Sequence, residues 1–304
     1  MNLIDRIQQL KKERNAVILV HNYQLPEIHQ IADFIGDSLA LSIQASKTEA
    51  EIIVFCGVYF MAETAKILSP GKTVLIPDKD AGCPMADMVT APELRRLKKS
   101  HPQAKVLCYV NTSAEVKAEC DLCCTSANAV SMAREAFRDA EEVIFVPDKH
   151  LAHYVSTQLQ RSFITWGGYC PSHVKILPED ILAQKALHPQ AEVMVHPECT
   201  GAVIALADKV LSTEGMGRYA KETASREFIV GTEVGMLYRL SKENPDKKFY
   251  AATENALCPN MKQITLEKVV WSLQELRHQI VLPPEVIEKA SQSIQAMVRH
   301  RHES

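Results

Sequence analysis

The sequence predicts an α/β protein of three homologous α/β/α units, each on a parallel sheet, set with pseudo-threefold symmetry around one central site. Three observations carry this expectation. Cys-Pro pairs occur in "DAGCPMAD" (Cys83), "WGGYCPSH" (Cys170) and "ALCPNMK" (Cys258), 87 and 88 residues apart. Each cysteine follows, by 61 or 62 residues, the end of a strand-like apolar run: "VILVH" ending at His21, "KVLCY" at Tyr109 and "EVMVH" at His196. Between run and cysteine, strand-like and helical patterns alternate as in a doubly wound unit, at a period too long for a solenoid repeat.

Residues 1–84 are the first expected unit. "MNLIDRIQQLKKER" sets apolar and charged residues at helical spacing and has no continuous apolar stretch of the kind a secretory signal needs. "VILVH" reads as a buried parallel strand, because short apolar runs bounded by polar residues suit a sheet covered on both faces. Ser38 opens a helical pattern, "SLALSIQASK"; then "EIIVF" (strand), "YFMAETAKIL" (helix) and "TVLIP" (strand) lead to Cys83. Residues 85–171 repeat the order with "KVLCY", Ser126 in "SANAVSMAREAF", "EVIFV", "KHLAHYVSTQ", "SFITW" and Cys170. Residues 172–261 repeat it again with "EVMVH", Thr213 in "TEGMGRYAKE", "EFIVG", "VGMLYRLSK", "KFYAA" and Cys258. Even the lead-in recurs, as "KKSHPQAKV" and "QKALHPQAEV". Residues 262–304 are expected as helices packing back on the first unit, with the closing "HRH" a solvated end rather than a metal site.

Composition narrows the function. Hydrophobic residues are 46% and charged residues 23% of the 304, with a formal net charge of −3 and no Lys/Arg run, so a nucleic-acid footprint is missing. No apolar run reaches the ~18 to 20 residues of a membrane span, and a cytoplasmic protein is expected. Nine cysteines, odd in number and irregular in spacing, do not form a disulfide framework; metal binding or catalysis is the better reading for a subset.

Ligands of open parallel sheets bind outside the carboxyl ends of the strands. His21, Tyr109 and His196 mark those ends; two residues on stand Tyr23, Asn111 and Glu198, and seventeen on stand Ser38, Ser126 and Thr213. Three units around one axis would aim all of these, with one thiol each, at a single site. Three isolated cysteines with no fourth equivalent do not suit a structural zinc site, whereas a 4Fe-4S cluster on three thiolates keeps one iron open as a Lewis acid. The competing reading is a packing position preserved in a triplicated domain.

Helix N-termini at Ser38, Ser126 and Thr213 suit anionic ligands; each hydroxyl alone is more often a plain N-cap, and it is their threefold equivalence that favours a ligand role. Cys120, Cys123 and Cys124 in "CDLCC" are expected in a helical approach to Ser126, as buried or surface thiols. Cys56 and Cys108 read as core, and Cys199 as a candidate for the cavity wall. "HPE" at His196–Glu198 matches half of a zinc-deaminase signature, but the downstream P-C-x-x-C is absent. Lys175 and Arg218 read as surface charge, and "GMG" at Gly215–Gly217 as a weak signal for close backbone approach.

"HNYQLPEIHQIADFIGDSLALS", "YVNTSAEVKAECD", "WGGYCPSH", "HPECTG" and "CPNMK" resemble the quinolinate synthase family, iron–sulfur transferases of de novo NAD biosynthesis, from end to end of the chain. The resemblance implies that iminosuccinate condenses with dihydroxyacetone phosphate to give quinolinate, phosphate and two waters. It implies a 4Fe-4S cluster on Cys83, Cys170 and Cys258. Substrate contacts would be His21, Ser38, Tyr109, Asn111, Ser126, His196, Glu198 and Thr213, with Tyr23 in the active site. In the expected chemistry the open iron binds the hydroxyl that departs in the last dehydration while Glu198, beside His196, removes the proton; Tyr23, Tyr109 and His21 shuttle protons or hold carboxylates. L-aspartate oxidase or aspartate dehydrogenase, supplying iminosuccinate, would be the transient partner. Two alternatives remain at this level: an iron–sulfur hydro-lyase acting on another small dicarboxylate, and a non-enzymatic iron–sulfur sensor, for which no partner or DNA-reading element is visible.

Overall fold

The structure is a computed structural model that describes residues 2–299, so the "HRH" segment lies outside the described residues. The first repeat runs α1 (Leu3–Glu13), β1 (Ala16–His21), α2 (Pro26–His29), β2 (Phe34–Gly36), α3 (Ser38–Lys47), β3 (Ile52–Cys56), α4 (Tyr59–Leu68), β4 (Thr73–Leu75). The second runs α5 (Ala91–Ser100), β5 (Lys105–Tyr109), α6 (Ala114–Lys117), β6 (Leu122–Cys124), α7 (Ala129–Asp139), β7 (Val143–Val146), α8 (Lys149–Leu159), β8 (Ile164–Thr165). The third runs α9 (Pro178–Leu187), β9 (Glu192–Val195), α10 (Gly201–Ile204), β10 (Lys209–Val210), α11 (Thr213–Glu222), β11 (Glu227–Gly231), α12 (Met236–Glu243), β12 (Lys248–Ala251). Helices α13 (Leu266–Glu275) and α14 (Pro284–Arg299) close the described chain.

Each repeat forms its own four-stranded parallel sheet, in the orders β2-β1-β3-β4, β6-β5-β7-β8 and β10-β9-β11-β12. The chain leaves the first strand in one direction and returns on its other side. That reversal opens a crevice at the carboxyl edge, where ligands of such sheets bind. The apolar runs are strands because both faces are covered: β3 and β7 are buried at every residue. In the third repeat alternation separates two cores, with Val193, Val195 and Ile229 on one face and Met194, Phe228 and Val230 on the other.

The sequence pattern shows three strands per repeat and the structure four. The additional strands β2, β6 and β10 are two or three residues long at a sheet edge, too short for a recognisable period. One consequence corrects the reading of "CDLCC": Cys123 and Cys124 lie in β6, not in a helical approach to Ser126, and only Cys120 follows the short helix α6. Cys123 pairs in register with Cys108 of β5, and both are buried, with Cys124 beside them.

An aspartate ahead of each edge strand performs one task three times. The Asp33 carboxylate accepts from the Ile18 backbone N–H at 2.7 Å, Asp121 from Val106 at 2.7 Å and Asp208 from Val193 at 2.8 Å. Each aspartate N–H in turn donates to the carbonyl of the same partner residue, so it completes the ladder as a further strand residue would. Ile18, Val106 and Val193 are wholly buried, and without this partner the N–H would be left unpaired. Replacing Asp121 by Ala should destabilise the fold by about 1–3 kcal/mol, read as a shift of the denaturant midpoint, with the Asn variant losing less.

Helix α13 lies along α1. Helix α14 packs on α4 of the first repeat and on α6 and β6 of the second, where Ser293 donates to the Lys117 carbonyl at 3.2 Å. Its inward residues Ala290, Ile294 and Met297 are fully buried in the core shared by those two repeats. Among the described residues no helix is long and apolar enough to cross a membrane.

Candidate active site

The three carboxyl edges meet at a cavity of about 70 Å³. All twelve residues singled out from the sequence line it: His21, Tyr23, Ser38, Cys83, Tyr109, Asn111, Ser126, Cys170, His196, Glu198, Thr213 and Cys258. A wider cleft of about 400 Å³ shares Asp37 and Ser126 with this cavity and continues outward past Arg134, Tyr154, Glu214 and Arg218. Lys175 and Arg218 are exposed, as expected, but Arg218 faces this cleft. An added Cβ at Gly215, which lines this cleft, would meet Leu211 Cβ at 3.3 Å, whereas Gly217 has open space.

The capping interpretation holds for none of the three hydroxyls, since the caps are Asp37, Asn128 and Ser212. Asp37 caps α3 by accepting from Ala40 N–H at 2.9 Å, and Ser212 caps α11 by accepting from Gly215 N–H at 3.2 Å. Ser38 and Thr213 are therefore spared that task and face the cavity. Ser126 sits one turn ahead of α7, which starts at Ala129, and meets His196 Nε2 at 3.1 Å. The Asn111 amide oxygen is buried with no protein partner, an open hydrogen-bonding group in the cavity wall. Its loop is held from behind by the wholly buried Lys117, which donates to the Thr112 carbonyl and lies 5.3 Å from the Phe60 ring centre.

His21 and His196, at equivalent strand ends, share one geometry. Each ring accepts at Nδ1 from the backbone N–H two residues on, at 3.2 Å from Tyr23 and 3.3 Å from Glu198. The proton is thus on Nε2, facing the cavity side. Burial lowers both rings to about 3, so they are neutral hydrogen-bonding groups at neutral pH.

Glu198 is an almost fully enclosed carboxylate of the cavity, 3% exposed. The Tyr109 hydroxyl donates to one of its oxygens, and His173 Nδ1 lies 2.7 Å from the other. Burial pushes the carboxyl upward, but the adjacent His173 and His196 and the hydrogen bonds from His173 and Tyr109 outweigh it and hold the group below the usual carboxylate range. His196 is itself neutral, so the decisive partners are His173 and the Tyr109 hydroxyl.

His173 was not singled out from the sequence. Its ring stacks on His196 at 4.7 Å, Nδ1 is 3.1 Å from Cys170 Sγ, and Nε2 is 2.9 Å from Thr232 Oγ1, which also meets the Tyr23 hydroxyl at 2.7 Å. The repeat alignment held a signal for it: three residues after each cysteine stand Ala86, His173 and Met261, and only His173 can carry a proton. Glu233 was missed as well. Wholly buried, it accepts from Cys258 N–H at 3.1 Å and pairs with Lys262 at 3.0 Å, and Lys262 also donates to the Tyr23 carbonyl.

Each cavity thiol precedes a short 3-10 turn (Ala86–Met88, His173–Lys175, Met261–Gln263). The backbone N–H groups two and three residues on point at each sulfur, from Met85 and Ala86, Ser172 and His173, Asn260 and Met261. These three cysteines line the cavity and keep some accessibility, whereas Cys56 and Cys108 are buried in strands as expected. Cys199 is the exception to its expected place: it turns into the third-repeat core, its thiol 3.4 Å from the Gly231 carbonyl. Cys170 Sγ, a His173 ring nitrogen and a Glu198 oxygen lie within 4.8 Å of one another, a donor set able to hold a metal.

Three repeated α/β units that aim thiols, a buried carboxylate, neutral imidazoles and free hydroxyls into one small cavity define a small-molecule enzyme. The sequence matches the family described as Quinolinate synthetase A protein over residues 5–299, and the chain belongs to that enzyme family. It is 52% identical to "Quinolinate synthase 1" of Methanosarcina acetivorans over 98% of this chain and 97% of the relative. "Quinolinate synthase" of Dehalococcoides mccartyi strain CBDB1 is 54% identical, and that of Thermodesulfovibrio yellowstonii 52%, each over 97% of both chains.

Proposed function

We propose that the chain is a quinolinate synthase that condenses iminosuccinate with dihydroxyacetone phosphate, releasing quinolinate, phosphate and two waters. The observation that carries this is the convergence of Cys83, Cys170 and Cys258 on one cavity with the Glu198–Tyr109–His173 group. The overall change is redox-neutral, so the site needs acid–base groups and anion partners rather than an electron acceptor, and those are the groups present.

The three thiols fit an iron–sulfur cluster. Burial pushes Cys83 up to about 12 and also raises Cys170 and Cys258, so their ionised form needs a positive centre between them. The paired backbone N–H donors at each sulfur suit a thiolate and supply the hydrogen bonds that tune cluster sulfurs. With three protein ligands, a bound 4Fe-4S cluster supplies a Lewis-acidic iron open to an oxygen of the substrate.

The chain's own residues do the remainder. Glu198, acceptor-only and held by two donors, takes the proton in the dehydration; Tyr109 and His173, in direct contact with it, are placed to pass that proton on. His21 offers a neutral Nε2–H donor and that of His196 is directed at Ser126 Oγ, so the Ser126 hydroxyl, with those of Ser38 and Thr213, donates to carboxylate and phosphate oxygens, while the Asn111 amide oxygen accepts from a substrate N–H or O–H. The proposed setting is the cytoplasm, which keeps the thiols reduced, with an L-aspartate oxidase or aspartate dehydrogenase supplying iminosuccinate through transient contact.

Protein reconstituted anaerobically with iron and sulfide, then given dihydroxyacetone phosphate and freshly generated iminosuccinate, should form quinolinate and phosphate in equal amounts, followed chromatographically. Cluster-loaded protein that consumes neither compound would overturn the proposal.

A further inference from the structure

We infer that Asn22 is a positioning residue that makes the Thr213 hydroxyl a hydrogen-bond donor toward the cavity, so that this corner takes a substrate oxygen bearing no proton, such as a carboxylate or phosphate oxygen. The inference rests on the proposed function for the identity of the substrate.

The argument follows hydrogen-bond polarity from the outside inward. Arg239 of α12 has only donors. It is clamped by two carboxylates: Glu214, within hydrogen-bond distance of both terminal nitrogens, and Glu243, 2.8 Å from Nε. Its NH1 also lies 2.5 Å from the Asn22 side chain, which must therefore present its oxygen there. The amide nitrogen is left facing Thr213 Oγ1 at 2.7 Å, with Glu214 at 3.4 Å as acceptor for its second hydrogen.

Asn22 is 0% exposed, and its backbone N–H is anchored on the Gly36 carbonyl at 3.0 Å, so the amide has neither water to bond nor room to leave. Thr213 Oγ1 consequently accepts from Asn22, and its own hydrogen points elsewhere. Thr213 lines the cavity and is not the cap of its helix, which leaves the cavity as the direction for that hydrogen. The device bridges the first and third repeats and exists at one corner only: the positions equivalent to Asn22 are Val110 and Pro197.

The test compares Asn22→Asp, Asn22→Ala and Thr213→Val in cluster-loaded protein, reading KM and kcat for quinolinate formation and calorimetric affinity for quinolinate, malate and inorganic phosphate. Asn22→Asp keeps the shape and the Arg239 contact but puts an acceptor against Thr213, whose hydrogen then turns away from the cavity. Affinity should fall about tenfold, as for Thr213→Val, with kcat falling less than KM rises. The double variant should be no weaker than Thr213→Val alone, because both changes remove one interaction. Asn22→Ala frees the hydroxyl without reversing it and should lose less than Asn22→Asp.

A merely structural Asn22 gives the opposite order, since Ala abandons Arg239 and leaves a hole. An Ala variant weaker than Asp, losses that add in the double variant, or Asn22→Asp with wild-type affinity would each overturn the inference; should Asn22→Asp fail to fold, Ala binding no better than Thr213→Val does so. Wild-type protein that makes no quinolinate but shows the expected order with malate or phosphate would sink the proposed function and leave this inference standing. Wild-type protein that binds none of the three probes overturns both.

Discussion

Exchange of Glu198 for Gln should leave the iron content and visible absorbance of the cluster-loaded protein intact and slow quinolinate formation by about a thousandfold, within the range for loss of a positioned acid–base group. Gln preserves the length and shape of the side chain but cannot take a proton. The setting makes this a sharp test. Glu198 is buried, receives the Tyr109 hydroxyl and the His173 ring, and has His196 stacked behind His173. It belongs to a donor set with Cys170, so iron and sulfide must be counted in the same preparation as the rate. A variant with full cluster and full activity would remove Glu198 from proton transfer.

Single exchange of Cys83, Cys170 or Cys258 for Ala should abolish activity and strip most of the iron and sulfide, whereas Cys56→Ala and Cys199→Ala should retain both. The contrast follows from direction. Cys83, Cys170 and Cys258 face the cavity with backbone N–H groups at each sulfur, while Cys56 lies within β3 and Cys199 points at the Gly231 carbonyl inside the third repeat. Removing a core thiol deletes a small buried side chain at about 1–2 kcal/mol of stability without touching the cavity. A Cys170→Ala protein with a full complement of iron would refute the assignment; iron lost equally from Cys56→Ala would mean that general unfolding, not ligation, explains the loss.

The triplication was legible because a duplicated gene segment preserves spacing, and spacing survives in a linear string. His21, Tyr109 and His196 could be aligned by counting, and so could Ser38, Ser126 and Thr213. His173 broke the repeat at its position, and a method that follows agreement between copies passes over the exception. Glu233 and Asn22 were hidden for another reason: their partners Lys262 and Arg239 are 29 and 217 residues away, and no local pattern signals a bond that closes only on folding. Cys199 shows the reverse error, since adjacency to Glu198 placed it near the site while the turn after β9 aimed its side chain into the core.

By itself, then, the order of residues determined three α/β units, the chain positions at which strands end, and one thiol per unit, since periodicity and the chemistry of residue types are properties of neighbours along the chain. Only the tertiary structure decided which hydroxyls are caps and which are free, which histidine touches both Cys170 and Glu198, and which way the Thr213 proton points. Those depend on distances of a few ångströms between residues of different repeats, and on the burial that strips water from them so that each donor must find one particular acceptor.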